Sequence, residues 1–233
     1  MGGRVILVDF AKALAQLPDP RFRRVLLMGI GLTIALFVAI YAAVLWLIGT
    51  TTEDGIVLPL IGEVTWVGDL LGWGSFGLML ILSVFLMIPV ASFITSLFLE
   101  DVADAVEAEH YPTLPPAPRT SFWDGMRDTV NFFGVLVGAN ALALVAYVFL
   151  PFAALFIFYA LNGYLLGREY FQIAAMRREG RAGAKTMREA NRLQIWLAGI
   201  LMAVPLTIPV MNLFIPILAA ATFTHLYHRI AAR

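Results

Sequence analysis

Three arginines crowd the start of the first long apolar segment, and their side chains could bind an anion. Arg21, Arg23 and Arg24 follow the Pro-Asp-Pro sequence at 18–20, where an Asp before a Pro predicts a helix N-cap with proline at the first helical position. Cations in a first helical turn are unfavourable, because a helix N-terminus already carries partial positive charge. Two explanations fit. The arginines could anchor the chain to anionic headgroups, or the free backbone N–H groups of 21–24 and the guanidinium groups of Arg23 and Arg24 could bind one tetrahedral anion.

Polar side chains in and just after a later apolar segment are the second set of candidates. Asn140 and Asn162 lie within residues 129–167, where polar groups at membrane depth can line a pathway. Arg168 and Glu169 follow this segment directly. They are typical of interfacial anchoring with a local ion pair, and a gating or substrate role is the alternative.

Other clusters of chemically active residues give weaker indications. Five acids between 100 and 109 are interpreted as a solvated face, with salt bridges to the basic segment 168–192, in this chain or another subunit, as the alternative. His225 and His228 are three residues apart, as metal ligands could be, but no carboxylate or third histidine lies near them in sequence. We therefore expect no metal site. No nucleophile–base pair can be placed together from the sequence. We therefore expect that the chain is not an enzyme and has no catalytic residue and no cofactor.

Four charge-free stretches must position these residues, at 25–49, 70–99, 129–167 and 193–224. A helix needs roughly 20 apolar residues to cross about 30 Å of hydrocarbon. The first two stretches fit one crossing each. The third has 39 residues, which is too many for one crossing and barely enough for two. The fourth has 32 residues and is divided by prolines, so two helices cut from it would each reach only about 20 Å.

The last two stretches are therefore predicted to be half-membrane re-entrant hairpins, with tips at Pro151 and at the turn 209–212. Charge placement supports this topology. The charged residues of the loop 50–69 are all acidic, whereas the segment 168–192 contains seven basic residues. Lys and Arg collect on the cytoplasmic side of a membrane protein. If each hairpin returns to the face it entered, all 16 Lys and Arg residues lie on one side. Full double crossings satisfy the same rule, and only length argues against them.

Composition agrees with an integral membrane protein. The chain is 61% hydrophobic and 14% charged, with a net charge of zero and a mean hydropathy of +0.84, and nothing indicates nucleic acid binding. There is no cysteine, which excludes disulfides. The predicted fold is all-α, in one domain, 1–233, consisting of an interfacial amphipathic helix at 4–17, transmembrane helices at 21–49 and 70–109, hairpins at 129–167 and 193–224, and a basic helical segment at 168–192.

Several motifs together resemble one family. They are the Pro-x-x-Arg-Arg pattern at 20–24, a Pro-rich linker after the helix that ends near Tyr111, the segment 162–171, and Ile-Pro-Val-Met-Asn-Leu-Phe-Ile-Pro-Ile at 208–217. Within 162–171, Gly163 and Gly167 are four residues apart, which permits close helix packing. Over almost its whole length the chain resembles CysZ-type sulfate permeases, within the broader etoposide-induced protein family. This resemblance implies two transmembrane helices and two half-membrane hairpins.

The resemblance also implies sulfate uptake across a bacterial inner membrane, supplying sulfur for cysteine synthesis. The family's anion site then falls at Arg23 and Arg24. The family's preceding glycine is replaced by Arg21, which could add a donor or block the site. We expect channel-like or facilitated passage, a homo-oligomer in the lipid bilayer, and basic loops and both termini in the cytoplasm. The alternative is a non-transporting protein that shapes or tethers membranes.

Overall fold

The computed structural model describes residues 2–52, 56–58, 62–64, 73–77, 81, 87, 90–91, 94–95, 97–119 and 121–232. Nearly all of these residues are helical. The helices are α1 (Gly2–Ala15), α2 (Pro20–Thr52), α3 (Leu99–His110), α4 (Phe122–Phe149), α5 (Ala154–Ala190), α6 (Arg192–Ala203) and α7 (Ile215–Ala231). A short antiparallel hairpin, which the sequence analysis did not predict, pairs β1 (Ile56–Leu58) with β2 (Gly62–Val64).

The first two helices meet at a capped turn. As predicted, Asp19 caps the N-terminus of α2: its Oδ1 accepts the Arg21 N–H at 2.7 Å, and its carbonyl accepts the Arg23 N–H at 3.0 Å. The amphipathic pattern of α1 buries Ile6 and Ala13, and α1 packs against α7. The predicted interfacial helix therefore lies against the protein along this buried face.

Helix α2 is the first candidate membrane span. Its section Pro20–Trp46 has 27 residues and a mean hydropathy of 2.5, with few of its side chains buried. At about 1.5 Å per residue this section is about 40 Å long, enough to cross a bilayer. A Cβ on Gly29 would overlap the Thr95 hydroxyl, so α2 closely approaches the end of the second predicted span.

The second predicted span, 70–99, lies mostly outside the described residues. Those described at 73–77 and 94–95 are helical, and a turn follows at 97–98. Because Phe98 has non-helical dihedral angles, α3 begins as a separate helix at Leu99 and ends at His110. The expectation of one continuous helix over 70–109 is thus wrong at this turn, although the end near Tyr111 is correct.

The third apolar stretch folds as two helices joined at the predicted break. Helix α4 ends at Phe149, Pro151–Ala153 form a 3₁₀ turn, and α5 begins at Ala154. The arms are unequal. Helix α4 contains a second candidate span, Trp123–Phe149, whereas the apolar part of α5, residues 154–167, reaches only about 21 Å. The first arm is thus long enough to cross a bilayer, and the half-depth of this hairpin stays a prediction.

The fourth stretch is a shorter hairpin. Helix α6 has 12 residues and α7 has 17, and 3₁₀ turns at Val204–Thr207 and Pro209–Leu213 separate them. At about 1.5 Å per residue the two helices reach about 18 and 26 Å. The alanines at 219–221 are almost fully buried, so the return arm packs tightly.

Helices α5 and α6 cross with backbone against backbone. A Cβ added to Gly199 would overlap the Gly163 carbonyl, and a Cβ on Gly167 would lie 2.6 Å from the Ile195 carbonyl oxygen. This close approach confirms the expectation for Gly163 and Gly167. Because these glycines leave no gap, α6 is held firmly along α5.

Candidate functional site

The arginines at the start of α2 face in two directions. Phe22 and Val25 are buried, and the 3.6-residue period therefore turns Arg23 and Arg24 outward, where both are exposed. Neither guanidinium group pairs with a carboxylate among the described residues. Arg21 instead lines a surface pocket of about 660 Å³. The structure therefore separates Arg21 from the other two.

Two of the backbone N–H groups in this turn are already in use. The N–H groups of Arg21 and Arg23 both donate to Asp19, one to its carboxylate and one to its carbonyl. The expectation that these N–H groups are free is wrong, because the cap that starts the helix consumes them. Any anion bound here would therefore depend on the guanidinium groups of Arg23 and Arg24.

The pocket beside Arg21 carries charges of both signs. It lies between α1, the start of α2 and the end of α3, and is lined in part by Lys12, Asp19, Glu109 and His110. Because its two carboxylates oppose its cations, this pocket is less suited to an inorganic anion than the exposed pair at 23 and 24.

The predicted pathway asparagines bond to their own helices. The Asn140 amide donates to the Leu136 carbonyl at 2.8 Å, and the Asn162 amide donates to the Phe158 carbonyl at 2.8 Å. Such bonds to the preceding turn satisfy the amide nitrogen within an apolar segment. Each side-chain oxygen remains able to accept a hydrogen bond.

Arg168 and Glu169 do not form the expected ion pair. The Arg168 guanidinium carbon lies 5.8 Å from the centre of the Phe132 ring, a cation–π contact between α5 and α4. Glu169 has no salt bridge among the described residues, and burial raises its pKa to about 7. The pair is split because consecutive helical residues point about 100° apart.

Glu107 is the centre of a polar network that joins α3, α5 and α7. Arg178 donates to both Glu107 oxygens, at 3.0 and 2.8 Å, and His228 Nε2 donates to Oε1 at 2.9 Å. Arg177 lies 3.7 Å from the same oxygen and also pairs with Asp104. Burial by itself would raise the pKa of Glu107, but the hydrogen bonds and positive charges outweigh it and lower the pKa to about 2.

This network corrects the interpretation of the acidic segment. Glu107 is buried, so the solvated-face expectation is wrong for this residue, and the alternative of salt bridges to 168–192 is confirmed within one chain. Two sequence features could have predicted these salt bridges. Asp104 and Glu107 are three residues apart and so share one face of a helix, and Arg177 and Arg178 are neighbours in the basic segment. A further pair, Asp9 with Arg229 at 2.8 Å, ties α1 to α7.

The ion pairs also place the ends of the hairpins. Arg178 follows the third stretch and His228 follows the fourth, yet both bind Glu107, which precedes both stretches. A stretch that crossed the protein once would separate these partners. The segments that follow the two stretches therefore lie together on one face of the protein, which carries residues 168–192 and which we call the basic face.

His225 and His228, in α7, both form contacts within the protein. His225 is buried, and its Nδ1 is hydrogen-bonded to the Tyr111 hydroxyl at 3.0 Å. Burial lowers the pKa of His225 to about 3, and the positive charges of His110 and Lys12 act in the same direction. His225 therefore stays neutral at physiological pH, and His228 is engaged by Glu107.

The helical fold, the two candidate spans and the basic face define an all-α integral membrane protein. Its residues 9–216 match the family model described as sulfate transporter CysZ/etoposide-induced protein 2.4. The chain therefore belongs to this family. No curated protein sequence matches the chain.

Proposed function

We propose that this protein carries sulfate, or a closely related oxyanion, across the bacterial inner membrane and supplies sulfur for cysteine synthesis. Its membership of a family described as sulfate transporters carries the proposal. Passage is channel-like or facilitated, and the proposal requires no catalytic residue and no cofactor. In this orientation the basic face is cytoplasmic, in agreement with the positive-inside rule.

Anion capture is assigned to Arg23 and Arg24. Both are exposed, and both stand at the N-terminus of a candidate span, where the helix dipole adds to their positive charge. Arg21 has a smaller role, because its side chain lines the neighbouring pocket with Asp19 and Glu109. An oxyanion would compensate these two cations, neither of which has a carboxylate partner among the described residues.

The pathway continues through polar groups of the third stretch. The free carbonyl oxygens of Asn140 and Asn162 do not suit an anion, but bound water can bridge them to one. Arg168 and Glu169 lie where this stretch meets the basic face and are assigned to gating. Large apolar side chains such as Phe133, Leu142 and Phe149 are exposed on α4, so this helix faces lipid or another copy of the chain. This exposed apolar face supports a homo-oligomer with the pathway between copies.

Uptake of radiolabelled sulfate into proteoliposomes tests the proposal. We compare the wild type with the double variant Arg23→Gln, Arg24→Gln. Arg119→Gln, at an exposed linker residue, is a control for the loss of a single positive charge elsewhere on the surface. Each lost charge-assisted hydrogen bond should weaken sulfate binding by about tenfold or more. Folding is checked by the melting temperature.

Saturable uptake that is lost in the double variant and kept in Arg119→Gln is the expected result. Uptake by the wild type that the double variant retains would place the anion site elsewhere. A folded wild type that takes up no sulfate would overturn the transport proposal.

A further inference from the structure

A second group of arginines lines a larger pocket, of about 880 Å³, on the basic face. Arg168 comes from the end of the apolar part of α5, Arg188 from the last turns of α5, and Arg192 from the start of α6. These positions are 20 and 4 residues apart in sequence. The break in α5 at Gly180 brings Arg188 back towards Arg168, and α6 returns along α5 with Arg192, so that all three line one cavity. This pocket is separate from Arg23 and Arg24, which are not among its lining residues.

The three arginines have no acidic partner in the part of the chain that the structure describes. None of them lies within 4.0 Å of a carboxylate oxygen of a described residue. Glu189 also lines the pocket, but it is exposed and lies 3.9 Å from Lys185. Burial lowers the pKa of Arg188, and the nearby positive charge of Arg168 lowers it further. The more weakly acting carboxylates of Asp128 and Glu189 raise this pKa but do not outweigh the lowering. The pocket therefore holds facing cations whose repulsion a bound anion would relieve.

The start of α6 points additional donors towards the same region. The first intrahelical bond runs from the Ile195 N–H to the Asn191 carbonyl, and α6 has no side-chain cap. The Asn191 amide donates instead to the Met187 carbonyl at 2.9 Å. The backbone N–H groups of the first turn of α6 thus add their partial positive charge beside Arg192.

Part of the pocket wall is apolar and comes from the two charge-free stretches 129–167 and 193–224. Leu193 and Tyr164 are largely exposed, and they belong to the two charge-free stretches whose ends Arg168 and Arg192 mark. Trp196 donates its indole N–H to the Ala160 carbonyl at 2.9 Å, which fixes its ring in this wall. Arginines beside exposed apolar and aromatic side chains are typical of the headgroup layer of a bilayer.

We propose that Arg168 and Arg188, with Arg192 at the rim, form a site for a tetrahedral oxyanion at the membrane interface. A phospholipid phosphate and a free sulfate or phosphate ion share this chemistry. Bidentate guanidinium donors suit either one. The apolar wall accommodates the glycerol and acyl region of a lipid, whereas a free ion would leave this wall unused.

Two binding experiments on the purified full-length protein distinguish the sources. Native mass spectrometry measures retention of phosphatidylglycerol against diacylglycerol, which has the same acyl chains and no phosphate. Equilibrium binding of radiolabelled sulfate in lipid-free detergent measures the free ion. Both use the wild type, Arg168→Gln with Arg188→Gln, the exposed rim variant Arg192→Gln, and Arg119→Gln as the control that matches Arg192→Gln in charge.

We expect the double variant to bind phosphatidylglycerol about a hundredfold more weakly than the wild type, since each lost charge-assisted bond contributes about tenfold or more. Arg192→Gln should weaken binding by about tenfold and, being exposed, should melt with the wild type. A loss in the lipid arm assigns the site to a headgroup, and a loss in the sulfate arm assigns it to a free oxyanion.

The proposed site would be overturned if, for both probes, Arg168→Gln with Arg188→Gln bound as tightly as Arg119→Gln. It would also be overturned if the wild type bound neither probe. The double variant Arg23→Gln, Arg24→Gln leaves this pocket intact and should retain its binding. Failure of the transport proposal and failure of this site are therefore separate results.

Discussion

The crossing of α5 and α6 predicts opposite effects for the same substitution at two glycines. Gly199→Ala places a Cβ against the Gly163 carbonyl and the Gly167 nitrogen, and neither atom can move aside by rotating a side chain. Gly138→Ala, in α4, places a Cβ in open space. Both glycines lie inside helices, so both substitutions gain about the same helix propensity.

Helix propensity and overpacking make opposite contributions to the free energy of unfolding, and both have approximate sizes. Replacing a helical Gly by Ala stabilises by up to about 1 kcal/mol. Overpacking costs about 1–3 kcal/mol, and we take the upper value for Gly199 because the overlap is with backbone. Gly199→Ala should therefore lower the free energy of unfolding by about 2 kcal/mol, whereas Gly138→Ala should raise it by up to about 1 kcal/mol. The difference of about 3 kcal/mol corresponds to roughly 6–12 °C in melting temperature for a chain of this size.

Thermal unfolding in detergent, followed by tryptophan fluorescence, measures this difference. Gly31→Ala in α2 is a second control, since its added Cβ also meets open space. The expected order of melting temperatures is Gly199→Ala well below the wild type, and both controls at or above it. The reasoning is refuted if Gly199→Ala melts with the controls, because the two helices would then not be in backbone contact.

Two further predictions concern the polar network and a bend in α5. Hydrogen bonds to the charged form lower the pKa of Glu107 from 4.5 to about 2. The ionised carboxylate therefore adds roughly 3 kcal/mol to the free energy of unfolding. This contribution is complete above pH about 4.5 and is lost as the pH falls through about 2. Glu107→Gln should therefore melt below the wild type at pH 7, and the gap should narrow towards pH 2 in a melting series; a gap independent of pH would contradict the network. Gly180 has φ 66° and ψ 177°, which other residues adopt at a cost of about 1–3 kcal/mol. A Cβ at this position would meet nothing within 4 Å, so the cost comes from the backbone conformation alone. Gly180→Ala should therefore lower the free energy of unfolding by this amount in denaturant titrations. An unchanged midpoint would show that the bend is not required.

The elements that the sequence predicts well depend on local chemistry. Asp19 before Pro20 caps α2, Pro151 lies where α4 and α5 are separated, and Tyr111 caps the end of α3. Each of these positions is determined by the backbone geometry of one or two residues. The spacing of Gly163 and Gly167 predicts that a helix approaches, and the structure identifies it as α6.

The candidate site was only partly predictable. The exposed position of Arg23 and Arg24 follows from helical periodicity, but the use of the Arg21 and Arg23 N–H groups by Asp19 depends on the cap geometry. The burial of Glu107 could not be derived from a segment in which acids occupy several faces of one helix. Its partners come from positions 71 and 121 residues further along the chain.

The sequence by itself determined that this is a membrane protein with apolar helices, basic residues collected beside them and breaks at its prolines, because hydropathy, charge and proline geometry act within a few residues. Only the tertiary structure decided which charges meet. Arg178 and His228 reach Glu107 because the segments that follow the two hairpins pack together. Arg168, Arg188 and Arg192 share a pocket because α5 is broken at Gly180 and α6 folds back along it. Long-range pairing is set by how helices pack, and the glycines that permit this packing contact partners that no local pattern identifies.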